Sequence, residues 1–341
     1  MWVRLSPPVG RSHGMIRAPV DPLEIPKTAA TRAGTVERLR VGPERAETYV
    51  TRVIASRIRC PTGARGLQRE RIDLVMSQID RHRLSIVSAP AGSGKTTALA
   101  QFARGADRPV AWYTVDTLDG PAPTFLAYLQ RSIELATGTP EASGWPHADA
   151  ALHALDQFGA PLTIVIDDFH LVTGEQAEDV LAYLVARLPE HVSIVVGTRT
   201  ALLVDDARLA IVGDVLEIDA DDLRFRTWEA EQLLEESYGF LLRPDDVARL
   251  TRSVGGWAAG FQLFRLAARD KPPAEQRRLA RQASTRSPLA RRYLAQNVLG
   301  ALSDDLREFL LHTSVLGVVT GELADDLLGR EGSHDDLVRL E

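Results

Sequence analysis

Cysteine is almost missing from this sequence: Cys60 is the one cysteine in 341 residues. No internal disulfide can form, and no Cys/His cluster has the spacing of a zinc site, so a reducing, cytoplasmic setting is expected. Long hydrophobic runs are missing too. Nowhere do about 18 apolar residues follow one another, and residues 1–10 hold no apolar stretch of signal-peptide length, so neither export nor membrane insertion is expected. Nor is there an excess of positive charge. With 40 Lys+Arg against 46 Asp+Glu, the formal net charge is -6, which argues against a broad basic face for nucleic acid.

What the sequence does have is the composition of a soluble globular protein, 45% hydrophobic and 25% charged, at a length that suits two or three compact domains. Residues 1–61 are rich in Pro, Gly and Arg without a sustained period and read as a largely flexible, solvated segment. After Arg83 short apolar runs at 84–88, 110–115, 162–166, 193–197 and 215–218 alternate with amphipathic helical stretches, the signature of βαβ units around a parallel sheet. Such unbroken apolar strands suit a sheet covered on both faces. Thr173 and Gln176 have capping-box spacing ahead of a helix whose apolar face runs from Ala177 to Leu188. From Thr227 onward the pattern is helical, with Leu233, Leu234, Val247, Leu250, Phe261, Leu263, Phe264 and Leu266 as its apolar positions. The expected fold is therefore α/β, a parallel sheet with flanking helices over 62–222, followed by an all-α bundle over 223–287 and a further helical unit over 288–341.

One motif carries chemistry on its own. Ala89-Pro90-Ala91-Gly92-Ser93-Gly94-Lys95-Thr96 matches the Walker A pattern with alanine in place of its first glycine, and it lies between an expected strand and an expected helix. The glycines allow successive N–H groups to turn around a phosphate at the positive end of a helix. Lys95 is suited to neutralise β- and γ-phosphate oxygens, the Thr96 hydroxyl to ligate magnesium, and Thr97 to extend the cradle. A second acidic element follows: the 162–166 strand delivers Asp167 and Asp168 at its C-terminal end, where ligands gather in open α/β sheets. Asp167 is assigned to magnesium through water and Asp168 to the attacking water, although the sequence leaves the two roles exchangeable. The 193–197 strand likewise ends in Thr198 and Arg199, a cation suited to the γ-phosphate. His170 reads as a loop histidine beside the acids. His147 and His153 have no third ligand nearby and receive no role.

Several phrases in this order resemble one family: residues 86–97, Val110-Ala111-Trp112-Tyr113, Val165-Ile166-Asp167-Asp168-Phe169-His170, Gly197-Thr198-Arg199, Leu223-Arg224-Phe225 and Gly255-Gly256-Trp257-Ala258-Ala259-Gly260. Over 69–328 the chain resembles the P-loop module of the signal-transduction ATPases with numerous domains, in particular the large ATP-dependent LuxR-like regulators of the maltose-regulon-activator type. The resemblance implies ATP and magnesium as ligands, slow hydrolysis as a nucleotide switch in a transcriptional regulator, and homo-oligomerisation on ATP. It implies a winged-helix domain beginning near 309–316 and puts Gly256 or Trp257 near the adenine side of the nucleotide; the residues themselves equally allow Trp257 as core packing after a Gly-Gly helix break. Such regulators continue into a sensor and a DNA-binding helix-turn-helix. This sequence stops at Glu341, so DNA binding is expected only through a C-terminal domain absent from this chain. Two other readings stay open: a non-catalytic nucleotide-binding interaction module, and a P-loop small-molecule kinase, for which the scattered Arg252, Arg265 and Arg269 offer no compact lid.

Overall fold

The computed structural model describes residues 53–63, 66–140, 143–200, 202, 214–282, 302–316 and 319–340. Five parallel strands, β1 (Leu84–Ser88), β2 (Val110–Thr114), β3 (Leu162–Asp167), β4 (Val192–Thr198) and β5 (Val215–Ile218), form one sheet in the order β2-β3-β4-β1-β5. The five expected strands are all present, within one residue at either end. The consequential feature is the order. β4 lies between β1 and β3, so Ser88 at the end of the phosphate-loop strand stands beside Thr198, and β4 also pairs with the strand that carries Asp167. Three chemically distinct strand ends are thereby brought to one edge of the sheet.

Alternation along the strands sorts the core into two layers. Ile86, Tyr113, Ile164, Ile166, Ile194 and Val196 pack with α3 (Ala122–Thr137), α4 (Ala148–Phe158) and α5 (Gln176–Arg187) on one face. Val87, Trp112, Val165 and Val195 pack with α1 (Glu70–Met76) and α2 (Lys95–Gly105) on the other. Helices on both faces explain why the strands carry apolar residues toward both layers. The expected capping box ahead of α5 does not form: the N-cap is Glu175, and it makes no side-chain cap bond. The Glu178 carboxylate accepts the Gly174 N–H at 2.6 Å, and the Gln176 side chain accepts the Ala122 N–H at 3.1 Å, tying α5 to the start of α3.

Beyond β5 the described residues are helical. The elements are α6 (Ala220–Leu223), α7 (Thr227–Gln232) running into a π-turn at Leu233–Ser237, α8 (Pro244–Ser253), α9 (Ala258–Ala268) and α10 (Pro273–Gln282). Their common core holds Phe225, Leu233, Leu234, Phe240, Val247, Leu250, Phe261 and Phe264, joined by Leu67 from upstream of the sheet. Of the expected apolar positions, Leu266 is instead exposed and Leu263 half-buried. Further on, α11 (Asp304–Thr313), α12 (Gly321–Leu328) and α13 (Ser333–Leu340) make a small helical group, in which Arg339 pairs with Asp305 at 2.9 Å.

Residues 1–52 lie outside the described residues. Within 53–61 the expectation of a flexible segment is corrected. Ile58 is buried in the sheet core. The Arg57 guanidinium pairs with the buried Asp119, donates to the Thr114 carbonyl at 3.0 Å and covers the Tyr128 ring at 4.2 Å. One arginine thus pins this stretch to β2 and α3.

Candidate functional site

The phosphate loop leaves β1 and enters α2 at Lys95. Gly92 and Gly94 take φ of 75° and 98°, left-handed values that the loop's curl requires and that side-chain-bearing residues disfavour. The Ala89 N–H donates to the Thr198 carbonyl at 3.3 Å, which holds the loop's first residue against the end of β4. The Lys95 ammonium folds back to donate to the carbonyls of Ala89 at 2.5 Å and Pro90 at 3.3 Å. Burial, with Arg199 nearby, pulls its pKa down to about 8. An anion beside it would favour the charged form.

The link between loop and acids is direct. The Thr96 hydroxyl donates to Asp167 Oδ2 at 2.7 Å, while Asp167 Oδ1 is buried without a hydrogen-bond partner among the described residues. Burial lifts this carboxyl to about 6, and the neighbouring Asp168 adds to the rise. Gly197 makes room for it: a Cβ there would come within 2.5 Å of Asp167 Oδ1 and 3.0 Å of Leu99 Cδ1. Asp168 is the only described non-glycine residue with positive φ, at 58°. That left-handed turn swings its carboxylate away from β3 toward the open side of the loop. His170 Nδ1 stands 4.0 Å from Asp168 Oδ1, and burial together with Arg199 lowers its pKa to about 4, which leaves the ring neutral near pH 7.

These groups share one cavity of about 850 Å³. Gly92, Gly94, Lys95, Thr96, Thr97, Asp168 and Arg199 line its phosphate-sized end, and Asp167 is reached through Thr96. Ala89, Pro90, Ala91 and Ser93 complete the loop but do not line this cavity. Trp257 does not line it either. Its indole lies behind the loop in a second hollow of about 180 Å³ with Pro90 and Ser93, and its N–H donates to the Ala91 carbonyl at 3.0 Å.

The far end of the large cavity was not foreseen from the sequence. Gly66, Leu67 and Arg69 border it before the sheet, Gln101 on α2, and Phe225, Leu233, Ser237, Tyr238, Gln262 and Arg265 from the helical layer. The buried Arg69 donates to the Leu223 carbonyl at 2.7 Å and lies over the Phe225 ring at 4.4 Å. Arg265 stacks over Tyr238 at 5.0 Å, and the Tyr238 hydroxyl donates to the Gln262 side-chain oxygen at 2.9 Å. The Leu-Arg-Phe phrase at 223–225 was the one signal available for this end. The π-turn that presents Leu233, Ser237 and Tyr238 leaves no trace in the apolar spacing.

The donor set fits a magnesium nucleotide. A hydroxyl and a buried carboxylate with a spare oxygen are hard oxygen ligands suited to Mg²⁺. A lysine, an arginine and left-handed glycines surround a space of the size usual for nucleotide-scale ligands. No group of three or more His, Cys, Asp or Glu able to hold a metal by themselves occurs among the described residues. Nor does any helix among them have the length and apolarity to cross a membrane.

Comparison with known proteins bears on the fold and on what the chain is similar to. The family described as the MalT winged helix domain matches residues 295–341. The HTH-type transcriptional regulator MalT of Yersinia enterocolitica is 32% identical over 286 residues, covering 80% of this chain. The chain spans only 32% of that relative's length. Among solved structures, a Walker-type ATPase of Pyrococcus abyssi covers 80% of this chain and 87% of its own at 12% identity and a TM-score of 0.51, which supports the fold. A signal-transduction ATPase with numerous domains bearing a tetratricopeptide-repeat sensor, from Pyrococcus horikoshii, covers 80% of this chain and 39% of its own at 18% identity and a TM-score of 0.41. The chain is thus similar to MalT over four-fifths of its own length, matches the MalT winged helix domain at its C-terminal end, and has the fold of a Walker-type ATPase.

Proposed function

We propose that this chain is the nucleotide switch of a signal-transducing transcriptional regulator: it binds ATP with magnesium between the α/β and helical layers and hydrolyses it slowly. The observation that carries the reading is the 2.7 Å bond from Thr96 to Asp167, which leaves one buried carboxylate oxygen to spare beside the loop. Within this reading Lys95 and Arg199 hold the terminal phosphates, Thr96 and Asp167 hold magnesium, and Asp168 orients the attacking water. Magnesium would supply charge neutralisation at the phosphates. Asp168, turned into the cavity by its left-handed backbone, can accept a proton from water, whereas the buried Asp167 is committed to Thr96. That division of labour separates two acids that the sequence left exchangeable.

The domain division proposed with it is 62–222, 223–287 and 288–341, with the far end of the cavity receiving the base. Oligomerisation on ATP, and DNA binding through a region outside this chain, complete the reading. The kinase alternative finds little support, since Arg265 alone of Arg252, Arg265 and Arg269 borders the cavity. The reading is tested by thermal unfolding with ADP, ATP and GTP, each with magnesium, followed by a phosphate-release assay. Ligand binding to the folded state must raise the midpoint with concentration. An adenine-selective rise lost in Lys95→Ala is expected, with slow phosphate release reduced by Asp168→Asn. No rise with any nucleotide would overturn it, and binding without release would leave the non-catalytic module.

A further inference from the structure

The phosphate loop is held by the helical layer, at Trp257 from the hollow behind it and at Ala259 from the wall of the large cavity. Two successive loop carbonyls receive donors from the start of α9: the Trp257 indole N–H meets Ala91 O at 3.0 Å, and the Ala259 backbone N–H meets Gly92 O at 2.9 Å. The clamp is itself anchored. Gly256 accepts the Phe225 N–H at 2.8 Å, and a Cβ at this position would come within 2.6 Å of the Phe225 carbonyl, so the glycine lets the chain press against 224–225.

Peptide planarity gives these two bonds a consequence on the other side of the loop. In a trans peptide the C=O and the following N–H point in opposite directions. Fixing the Ala91 carbonyl toward Trp257 therefore fixes the Gly92 N–H on the opposite side of that peptide, and fixing the Gly92 carbonyl toward Ala259 does the same for the Ser93 N–H. The Ser93 N–H rests 3.4 Å from Pro90 O, at the limit of hydrogen-bond reach, so little holds it there. A bond accepted by the carbonyl also polarises the amide across the same peptide and makes it a better donor.

We propose that Trp257 and Ala259 are positioning residues that aim the Gly92 and Ser93 amides at the β-phosphate and so couple phosphate occupancy to the docking of the helical layer. This rests on the nucleotide-binding reading above. The coupling is reciprocal: an anion held by the two amides strengthens the two carbonyls as acceptors and tightens α9 on the loop, and a loosened α9 weakens anion binding by the same factor. Trp257 thus acts on the nucleotide through the loop, from a hollow separate from the large cavity.

The test is calorimetric titration of the full 341-residue chain with ADP and with AMP, each with magnesium. Trp257→Phe removes the indole donor and keeps an aromatic ring. Ala259→Pro removes the second donor at a first-turn helix position, where proline is tolerated. Each variant is expected to weaken ADP about five- to tenfold, the scale of one lost hydrogen bond, while AMP, which lacks the β-phosphate, changes by less than about twofold. Hydrogen exchange adds a readout that mere packing would not move: ADP should protect the first-turn amides of α9 in the parent chain and fail to do so in Trp257→Phe. If one variant does not fold, the other carries the test. Unchanged ADP affinity in both, or equal weakening of ADP and AMP, would overturn the clamp. The parent chain binding ADP in a Lys95-dependent manner, with Trp257→Phe indistinguishable from it, would sink the clamp alone. A parent chain that binds no nucleotide would remove the nucleotide reading and the clamp together.

Discussion

The two ends of the large cavity are built in opposite ways. The phosphate end comes from one short stretch, Gly92 and 94–97, supplemented by the tips of β3 and β4, and its groups include Lys95, Asp168 and Arg199, with Thr96 tied to Asp167. The far end is assembled from Leu67, Arg69, Gln101, Phe225, Tyr238, Gln262 and Arg265, drawn from both layers and held by stacking of arginines on rings and by hydrogen bonds. Local backbone geometry makes the first; only packing of the helical layer on the sheet makes the second. The charged chemistry is placed where the chain dictates it locally, and the end built by packing lies where the layers meet.

The sharpest challenge to this contrast is Lys95→Ala, which should cut ATP affinity on the order of a hundredfold, since the phosphate end loses a buried cation. Titration calorimetry reads the loss; an effect below about threefold would mean that the loop does not dominate binding. Next in size, Gly197→Ala forces a methyl against Asp167 and Leu99. A stability loss of about 1–3 kcal/mol is expected in denaturant unfolding, from overpacking.

Asp167→Asn should have a two-sided effect. Burial holds the folded carboxyl near 6 against 3.8 for the unaltered group. The folded chain therefore keeps this proton more tightly than the unfolded chain, and stability falls as pH rises from about 4 through about 6. The variant escapes that loss, so its nucleotide-free melting midpoint at pH 7.5 should rise by roughly 2–4 °C, with the gain fading toward pH 4. Its nucleotide binding should no longer depend on magnesium. A lower midpoint at pH 7.5 would show that the bond from Thr96 outweighs desolvation. The smallest effect is expected at the far end: Tyr238→Ala should weaken ADP and ATP alike by about three- to tenfold without altering the magnesium dependence, consistent with the loss of one stacking partner.

Much of the sheet was legible because parallel strands buried on both faces carry apolar residues toward both layers, and 84–88, 162–167 and 192–198 show this plainly. The loop was legible because its geometry demands glycine at fixed offsets. The capping box at Thr173 was misread because the Glu178 carboxylate reaches Gly174 and fills the role a cap would have had. The order at 53–61 was invisible because it depends on Arg57 meeting Asp119 and Tyr128, more than sixty residues away. Trp257 was noticed, but its place behind the loop could not be known before α9 was docked.

By itself the sequence determined the strands, the phosphate loop, its lysine and hydroxyl, and the two acids, because each follows from local backbone preference or from a pattern of burial along the chain. The tertiary structure alone decided that β4 separates β1 from β3, that Asp167 turns to Thr96 while Asp168 turns to the cavity, and that α9 grips the loop. These are long-range choices: they depend on which surfaces meet once the layers pack, and no local preference encodes them.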